Sequence, residues 1–417
     1  MNETIDLRAY CRAANHPVMC IGPMSRNIVD AVVCYADRLR QPIPLIASRR
    51  QIDAASLGGG YVENWTTESF AAFVRSRGGT FAPMCRDHGG PWQGTDESDL
   101  PVETAMDRAK ASIAEDLARG FRVIHLDPSI GEETRSQDET LNLLFDLYEF
   151  TISTARELNR PVELEVGTEQ QSGDVAGAAE LIAFLKAVTQ FCRRERFPHP
   201  LFCVVQTGTL VREMRNVGLT EGRRNEEVDQ RYAVSTMAKN VRMLTDVAYI
   251  NDVFVKEHNG DYLSDGSLAA RAEWEIGGVN IAPEMGVFET KTMISLCQEL
   301  GRSDVRDGML ELFHASRKWD KWMRAETTAT DVDRAIIAGH YCFADDRFLA
   351  LKHDLVAAAA ARGIDVDATI REGLTAMLRR MTWCLGYQKA ACHAIATPDI
   401  QINRTTTSPV PAMHGAA

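Results

Sequence analysis

A repeating strand-then-helix rhythm constrains this chain more than any other feature. Short apolar runs of about five residues alternate with longer stretches of helical period, and glycine, proline or acidic residues separate them. The strands read as Val18 to Gly22, Ile43 to Ala47, Thr80 to Met84, Arg122 to Leu126, Val162 to Val166, Leu201 to Val205, Val253 to Glu257 and Gly278 to Ala282. The helices between and after them read as Asn27 to Arg40, Thr67 to Arg77, Val102 to Arg119, Asp138 to Leu158, Ala176 to Cys192, a segment ending at Ala248, Ser267 to Glu275 and Glu289 to Leu300. About eight such units over roughly 280 residues predict an α/β fold, a (β/α)8 TIM barrel. A doubly wound open sheet is the structural rival, but no Gly-x-Gly-x-x-Gly opens a helix.

The barrel is expected to span residues 1–302. From 303 to 396 the strand-like runs stop, which predicts a C-terminal helical appendage with Trp319, Trp322 and Trp383 packed inside it. Residues 397–417, with Thr405-Thr406-Thr407, read as a disordered tail. The formal net charge of -12 and the lack of a basic stripe argue against nucleic acid as a partner. No apolar stretch reaches the ~20 residues that span a bilayer, and the charged start does not read as a signal peptide. The 10 cysteines form no Cys-x-x-Cys pair, so they read as reduced thiols of a cytoplasmic protein.

In such a barrel the chemistry sits at the carboxyl ends of the strands. The third strand runs into Asp87-His88-Gly89-Gly90-Pro91, a potential proton carrier and a potential metal ligand beside backbone that a ligand can approach closely. Side-chain alternation turns Ile124 and Leu126 outward and Val123, His125 and Asp127 inward on the fourth strand, and Glu163 and Glu165 inward on the fifth. His125 reads as a satisfied core histidine. Glu163 reads equally as an arginine partner or a site residue. Glu169 follows in the loop as a second potential proton carrier. The sixth strand ends at Gln206, and the seventh at Lys256-Glu257-His258, with Glu257 facing out.

His88, Asp127, Glu165 and His258 thus converge on one rim as nitrogen and carboxylate ligands without cysteine, a set that suits a divalent cation, Zn2+ or alternatively Mn2+. Such an ion polarises a carbonyl or stabilises an enediolate while a nearby acid moves protons. Lys256 has a further reading, as a Schiff-base nucleophile.

The segments Gly59-Gly60-Tyr61, Asp87 to Pro91, Gly120 to Ser129, Val166-Gly167-Thr168-Glu169, Val204-Val205-Gln206 and Glu257-His258 followed by Asp261-Tyr262 carry a family likeness. Between about Ile21 and Thr290 the chain resembles the Z-type subunits of tagatose-bisphosphate aldolase, relatives of the class II metal-dependent aldolases. That resemblance implies Asp87 as the proton-transferring acid, His88, Asp127, Glu165 and His258 as metal ligands, and Asn280 as a contact to a ketose or its phosphate. Gln206 and Lys256 are further candidate substrate contacts. It also implies a sugar or sugar phosphate as substrate, and either a homo-oligomer or a complex with a catalytic aldolase subunit that this chain stabilises. Two departures stand out. Gln206 replaces a ligand histidine, and Asn259-Gly260-Asp261 replaces a glycine-serine phosphate loop.

Overall fold

In the computed structural model, which describes residues 5–131, 135–167, 174–221 and 230–387, eight parallel strands close into a barrel. The strands are β1 (Val18–Ile21), β2 (Leu45–Ser48), β3 (Met84–Asp87), β4 (Val123–Leu126), β5 (Glu163–Gly167), β6 (Phe202–Val204), β9 (Phe254–Glu257) and β10 (Gly278–Ile281), with an antiparallel two-residue ladder, β7 (Val211–Arg212) and β8 (Arg215–Asn216), in the connection after β6. Going round the barrel the order is β1-β10-β9-β6-β5-β4-β3-β2. The helices are α1 (Leu7–Ala13), α2 (Arg26–Leu39), α3 (Thr67–Ser76), α4 (Val102–Arg119), α5 (Gln137–Glu157), α6 (Ala178–Glu195), α7 (Gln230–Ile250), α8 (Asp265–Glu273), α9 (Pro283–Glu299), α10 (Ser303–Ala315), α11 (Asp331–Ala338), α12 (Asp346–Ala360) and α13 (Val366–Leu385). The predicted fold class is therefore the observed one.

Three local expectations are corrected. The third strand begins where it was expected to end. Pro83 has no N–H to give the ladder, so the run before it packs as a turn; the Phe81 and Pro83 carbonyls accept the Ile43 and Leu45 N–H groups, and the strand register begins at Met84 opposite Leu45. Helix α9 begins six residues earlier than the periodicity suggests. Pro283 suits a first helical turn, and the Asp261 carboxylate accepts the Ala282 and Glu284 N–H groups at 2.9 and 2.8 Å. Trp383 is 68% exposed instead of packed, whereas Trp319 donates to the His314 carbonyl and Trp322 to the Tyr341 hydroxyl. Helix α1 and the small β7–β8 ladder have no counterpart in the sequence reading. The expected tail lies outside the described residues.

The barrel interior is layered. At its amino end Val18, Cys20, Ile46, Cys85, Val123 and Phe202 fill the lumen, and Leu7 and Cys11 of α1 seal it from below. Asp6 caps α1 by accepting the Ala9 N–H, and Arg8 pairs with Glu163 at 2.6 Å. Glu163 thus belongs to the floor of the barrel. Above the apolar layer the inward side chains become polar. Outside the strands, Arg86 is fully buried and pairs with Asp116 of α4 at 2.6 Å, while its second amino group caps the Ala47 and Ile52 carbonyls.

The β1–β2 seam is the thinnest part of the closure, joined by the single register pair Ile21 and Leu45. Just beyond α13, the fully buried Tyr387 fills it. Its hydroxyl accepts the Met19 N–H at 2.7 Å and donates to the Pro42 carbonyl at 3.2 Å. Helix α13 lies along α2, α8 and α9, so the C-terminal helices brace the seam they help to close. Replacing Tyr387 with Phe leaves a strand N–H buried without an acceptor. We expect a loss of about 1–3 kcal/mol, read as a lower urea midpoint at unchanged slope.

Candidate metal centre

The polar layer is built from residues of β3, β4, β5 and β9. Asp87 Oδ1 lies 3.6 Å from His125 Nδ1 and 3.6 Å from His258 Nε2. Glu165 Oε1 lies 3.3 Å from His258 Nε2 and 3.8 Å from His125 Nδ1. Four ligands bound tetrahedrally at 2.0–2.2 Å would stand roughly 3.3–3.6 Å apart, so these four atoms surround a space of the size of one such cation. All four fall within 4.8 Å of one another. His125 accordingly does not behave as an ordinary core histidine. Its Nδ1 accepts the His88 N–H at 3.3 Å while facing the carboxylates, and its Nε2 is buried without a partner among the described residues.

His88 stands at the edge of this group. The rings of His88, His125 and His258 form a near-equilateral triangle, with centroids 5.3 to 5.5 Å apart. His88 Nε2 is 3.7 Å from Asp87 Oδ2, and His88 Nδ1 is 2.6 Å from Asp127 Oδ2. Asp127 also accepts Gln93 Nε2 at 2.6 Å and the Ser129 N–H at 3.0 Å. Asp127 thus fixes the His88 ring instead of joining Glu165 and His258, although His88, His125 and Asp127 form a second ligand-capable trio. The left-handed backbone of His88, with φ at 48°, turns the chain so tightly that the next two residues press on β4. A Cβ on Gly90 would fall 1.7 Å from the Asp127 carbonyl oxygen, and one on Gly89 2.6 Å from that of His125, which explains the two glycines.

Lys256 points inward from β9 and pairs with Glu165 Oε2 at 2.5 Å. Burial works against its charge, but Glu165 outweighs it and holds the ammonium protonated beyond the ordinary lysine range. Its pairing with Glu165 works against the free amine that a Schiff-base nucleophile needs. Burial likewise pushes Glu165 upward, and Lys256 with the two histidines overcomes it, bringing the carboxyl down to about 2. Asp87 is held well below the carboxylate range by His88, His258 and His125 against the opposing effect of burial. Glu257 faces outward as expected and binds Arg271 at 2.7 Å and Thr207.

Of the expected substrate contacts, Asn280 donates to Asp87 Oδ1 at 3.4 Å, and its own Oδ1 is buried without a partner among the described residues. Gln206 sits beyond β6, its Oε1 likewise buried and without a partner among the described residues. Glu169 lies outside the described residues. Gln93, which the sequence reading missed, has no motif to announce it. Its role follows only from the chain folding back onto Asp127.

The rim after β9 and β10 is acidic. Asp261 occupies the amide groups that open α9, and Glu284 accepts the Tyr262 N–H at 2.6 Å. Burial and the Glu284 charge raise Asp261 to about 8.

No protein-family model and no curated protein matches the chain. Solved structures do. A probable tagatose 6 phosphate kinase from Sinorhizobium meliloti 1021 superposes with a TM-score of 0.65 at 16% identity, covering 90% of this chain and 98% of that one. A fructose-bisphosphate aldolase from Campylobacter jejuni gives a TM-score of 0.48 at 11% identity, covering 90% and 92% of the two chains. A glycerol complex of the fructuronate-tagaturonate epimerase from Cohnella laeviribosi gives 0.49 at 11%, covering 89% and 82%. The first of these shares the barrel fold.

The Asp261 shift makes a prediction about stability. An unfolded aspartate titrates near ~3.9, so between there and about 8 the folded chain binds the extra proton. Stability therefore falls as pH rises through that window. Asp261→Asn keeps an oxygen for the two amides and has no proton to lose. Its urea midpoint should drop less than that of the parent between pH 5 and pH 8.5; parallel curves would show that Asp261 is charged throughout.

Proposed function

We propose that this chain is a metal-dependent carbohydrate enzyme, acting on a ketose or sugar phosphate by retro-aldol cleavage or by an epimerisation through the same type of enediolate. The observation that carries the reading is the spacing of Asp87 Oδ1, His125 Nδ1, Glu165 Oε1 and His258 Nε2, which suits a single divalent cation. The donor set of two imidazoles and two carboxylates fits Zn2+ or Mn2+. An ion held there supplies Lewis acidity toward a carbonyl oxygen.

The chain's own residues do the rest. Asp87 turns one oxygen toward the ion position and the other toward His88. Held deprotonated, it is placed to take a proton from the carbon beside the carbonyl, or from the hydroxyl whose carbon–carbon bond breaks. His88, fixed by Asp127 and Gln93, relays that proton at Nε2. Lys256 keeps Glu165 ionised and in place. Asn280 offers an amide oxygen that lacks a partner, suited to a sugar hydroxyl.

Two sets of variants test this. His125→Ala and His258→Ala should each lose bound metal by elemental analysis, whereas Asp87→Asn, which leaves an amide oxygen at the same position, should retain more of it than either and lower kcat about 10²- to 10⁴-fold at saturating metal. Activity that survives a strong chelator would sink the reading. A panel of ketoses and their phosphates in deuterated solvent separates the reactions: deuterium at the epimerised carbon marks epimerisation, and a released aldehyde marks cleavage. Gln93→Leu should lower kcat with little change in KM and shift the acidic limb of the pH profile, because His88 loses its fixed partner. The competing reading, a non-catalytic subunit that stabilises an aldolase, draws on Gln206 in place of a histidine. No turnover alone, together with co-purification of a second barrel chain, would favour it.

A further inference from the structure

A helix that opens at the carboxyl rim presents backbone N–H groups without partners inside the helix, and an anion placed there is stabilised. In barrels of this kind the loops after the seventh and eighth strands, with such a helix start, commonly hold the anionic group of a substrate. The corresponding place here is the start of α9, directly after β10, and its N–H groups can be followed one by one. Ala282 and Glu284 both donate to Asp261 Oδ1, at 2.9 and 2.8 Å. Pro283 has no N–H to give. Met285 donates to the Ala282 carbonyl at 3.2 Å. Every N–H of this first turn is therefore engaged.

The loop that carries Asp261 is built to deliver it. Gly260 lies so close to β10 that a Cβ on it would fall 2.3 Å from Val279 Cγ1, and its N–H donates to the Asn280 carbonyl at 2.9 Å. Asn259 and Tyr262 adopt left-handed backbone, with φ at 60° and 59°. From β8, the Asn216 side-chain amide donates to the Asn259 and Asp261 carbonyls at 2.8 and 3.1 Å. Glu284 closes the arrangement by accepting the Tyr262 N–H at 2.6 Å. Asp261 is only 2% exposed. One oxygen accepts both helix amides, so the carboxyl fills them with or without a proton.

This filled place adjoins the candidate centre. The loop starts at His258, and Asn280, whose carbonyl holds Gly260, donates to Asp87 Oδ1 at 3.4 Å. A phosphate or carboxylate arriving at the α9 start would meet no free first-turn N–H and two acidic side chains. One of these would first have to give up both its amides, which leaves buried groups unpaired.

We propose that Asp261 is a specificity-determining residue, the built-in occupant of the barrel's anion seat, and that with Glu284 it excludes any substrate whose end on the β9–β10 side carries a phosphate or carboxylate. The substrate is accordingly a ketose that ends there in a hydroxyl. The filled seat does not depend on the reaction, whereas this substrate class rests on the proposed metal-dependent chemistry.

Calorimetric titration of full-length chains with inorganic phosphate, with a chelator present throughout, tests the seat by emptying it. Asp261→Ala with Glu284→Gln should bind one more phosphate per chain than the parent, and Asp261→Asn, which keeps an oxygen on the amides, should bind no more than the parent. Asp261→Ser is the second opening variant, since its hydroxyl can still cap the helix if the alanine chain does not fold. Equal phosphate binding by the parent and the folded opening variants would overturn the proposal. A substrate comparison needs no variant: any ketose the parent turns over should exceed its own terminal phosphate ester about tenfold or more in kcat/KM. An ester that matches or beats its ketose would overturn the substrate class. Loss of the metal-dependent reading leaves the gained phosphate site standing, and turnover of ketoses without a gained site removes this inference alone.

Discussion

Inside a closed barrel an unbalanced charge is poorly screened, and here the balance turns on Lys256 and Glu165. Both are almost completely buried, 2.5 Å apart, just above an apolar layer that offers neither a partner. Removing one member of such a pair would strand the other at a cost of about 3–5 kcal/mol. With Lys256 holding one oxygen of Glu165, the other is free to face His125 and His258. The remaining acid, Asp87, is left to the three imidazoles. The ion pair thus determines which carboxylate oxygen looks into the centre, and the geometry above it follows.

Much of this was readable along single strands. Alternation alone put Glu165 inside, turned Ile124, Leu126 and Glu257 outward, and placed Asp87 and His258 at strand ends. What it missed depends on neighbours far away in the chain. His125 passes for a core histidine until Asp87, Glu165 and His258 arrive from three other strands. Asp127 reads from sequence as one more ligand, and nothing in its own strand shows that Gln93 and His88 both meet its Oδ2. Helix α1 is too short for its period to announce it, and it becomes meaningful only as a seal beneath the barrel. Pro83 and Pro283 shifted two element boundaries, because each acts through one missing N–H that apolar patterning does not register.

The C-terminal helices are tied to the barrel at both levels. Tyr387 completes the seam between β1 and β2, and the Trp319–Phe343 segment is pinned to connections that leave three different strands. The same chain that braces the sheet therefore also shapes the entrance. Local changes in α13 or around Glu213 should be felt at the mouth, although they touch none of the inward-facing side chains.

Helix α1 has a consequence for traffic. Leu7 and Cys11 stopper the amino end, and Arg8 and Arg12 lock that stopper to Glu163 and Asp252. The lumen is a blind well with its reactive groups near the top. Among the described residues the lumen is closed at its amino end, so a molecule seated at the carboxyl mouth blocks exchange in both directions while it stays.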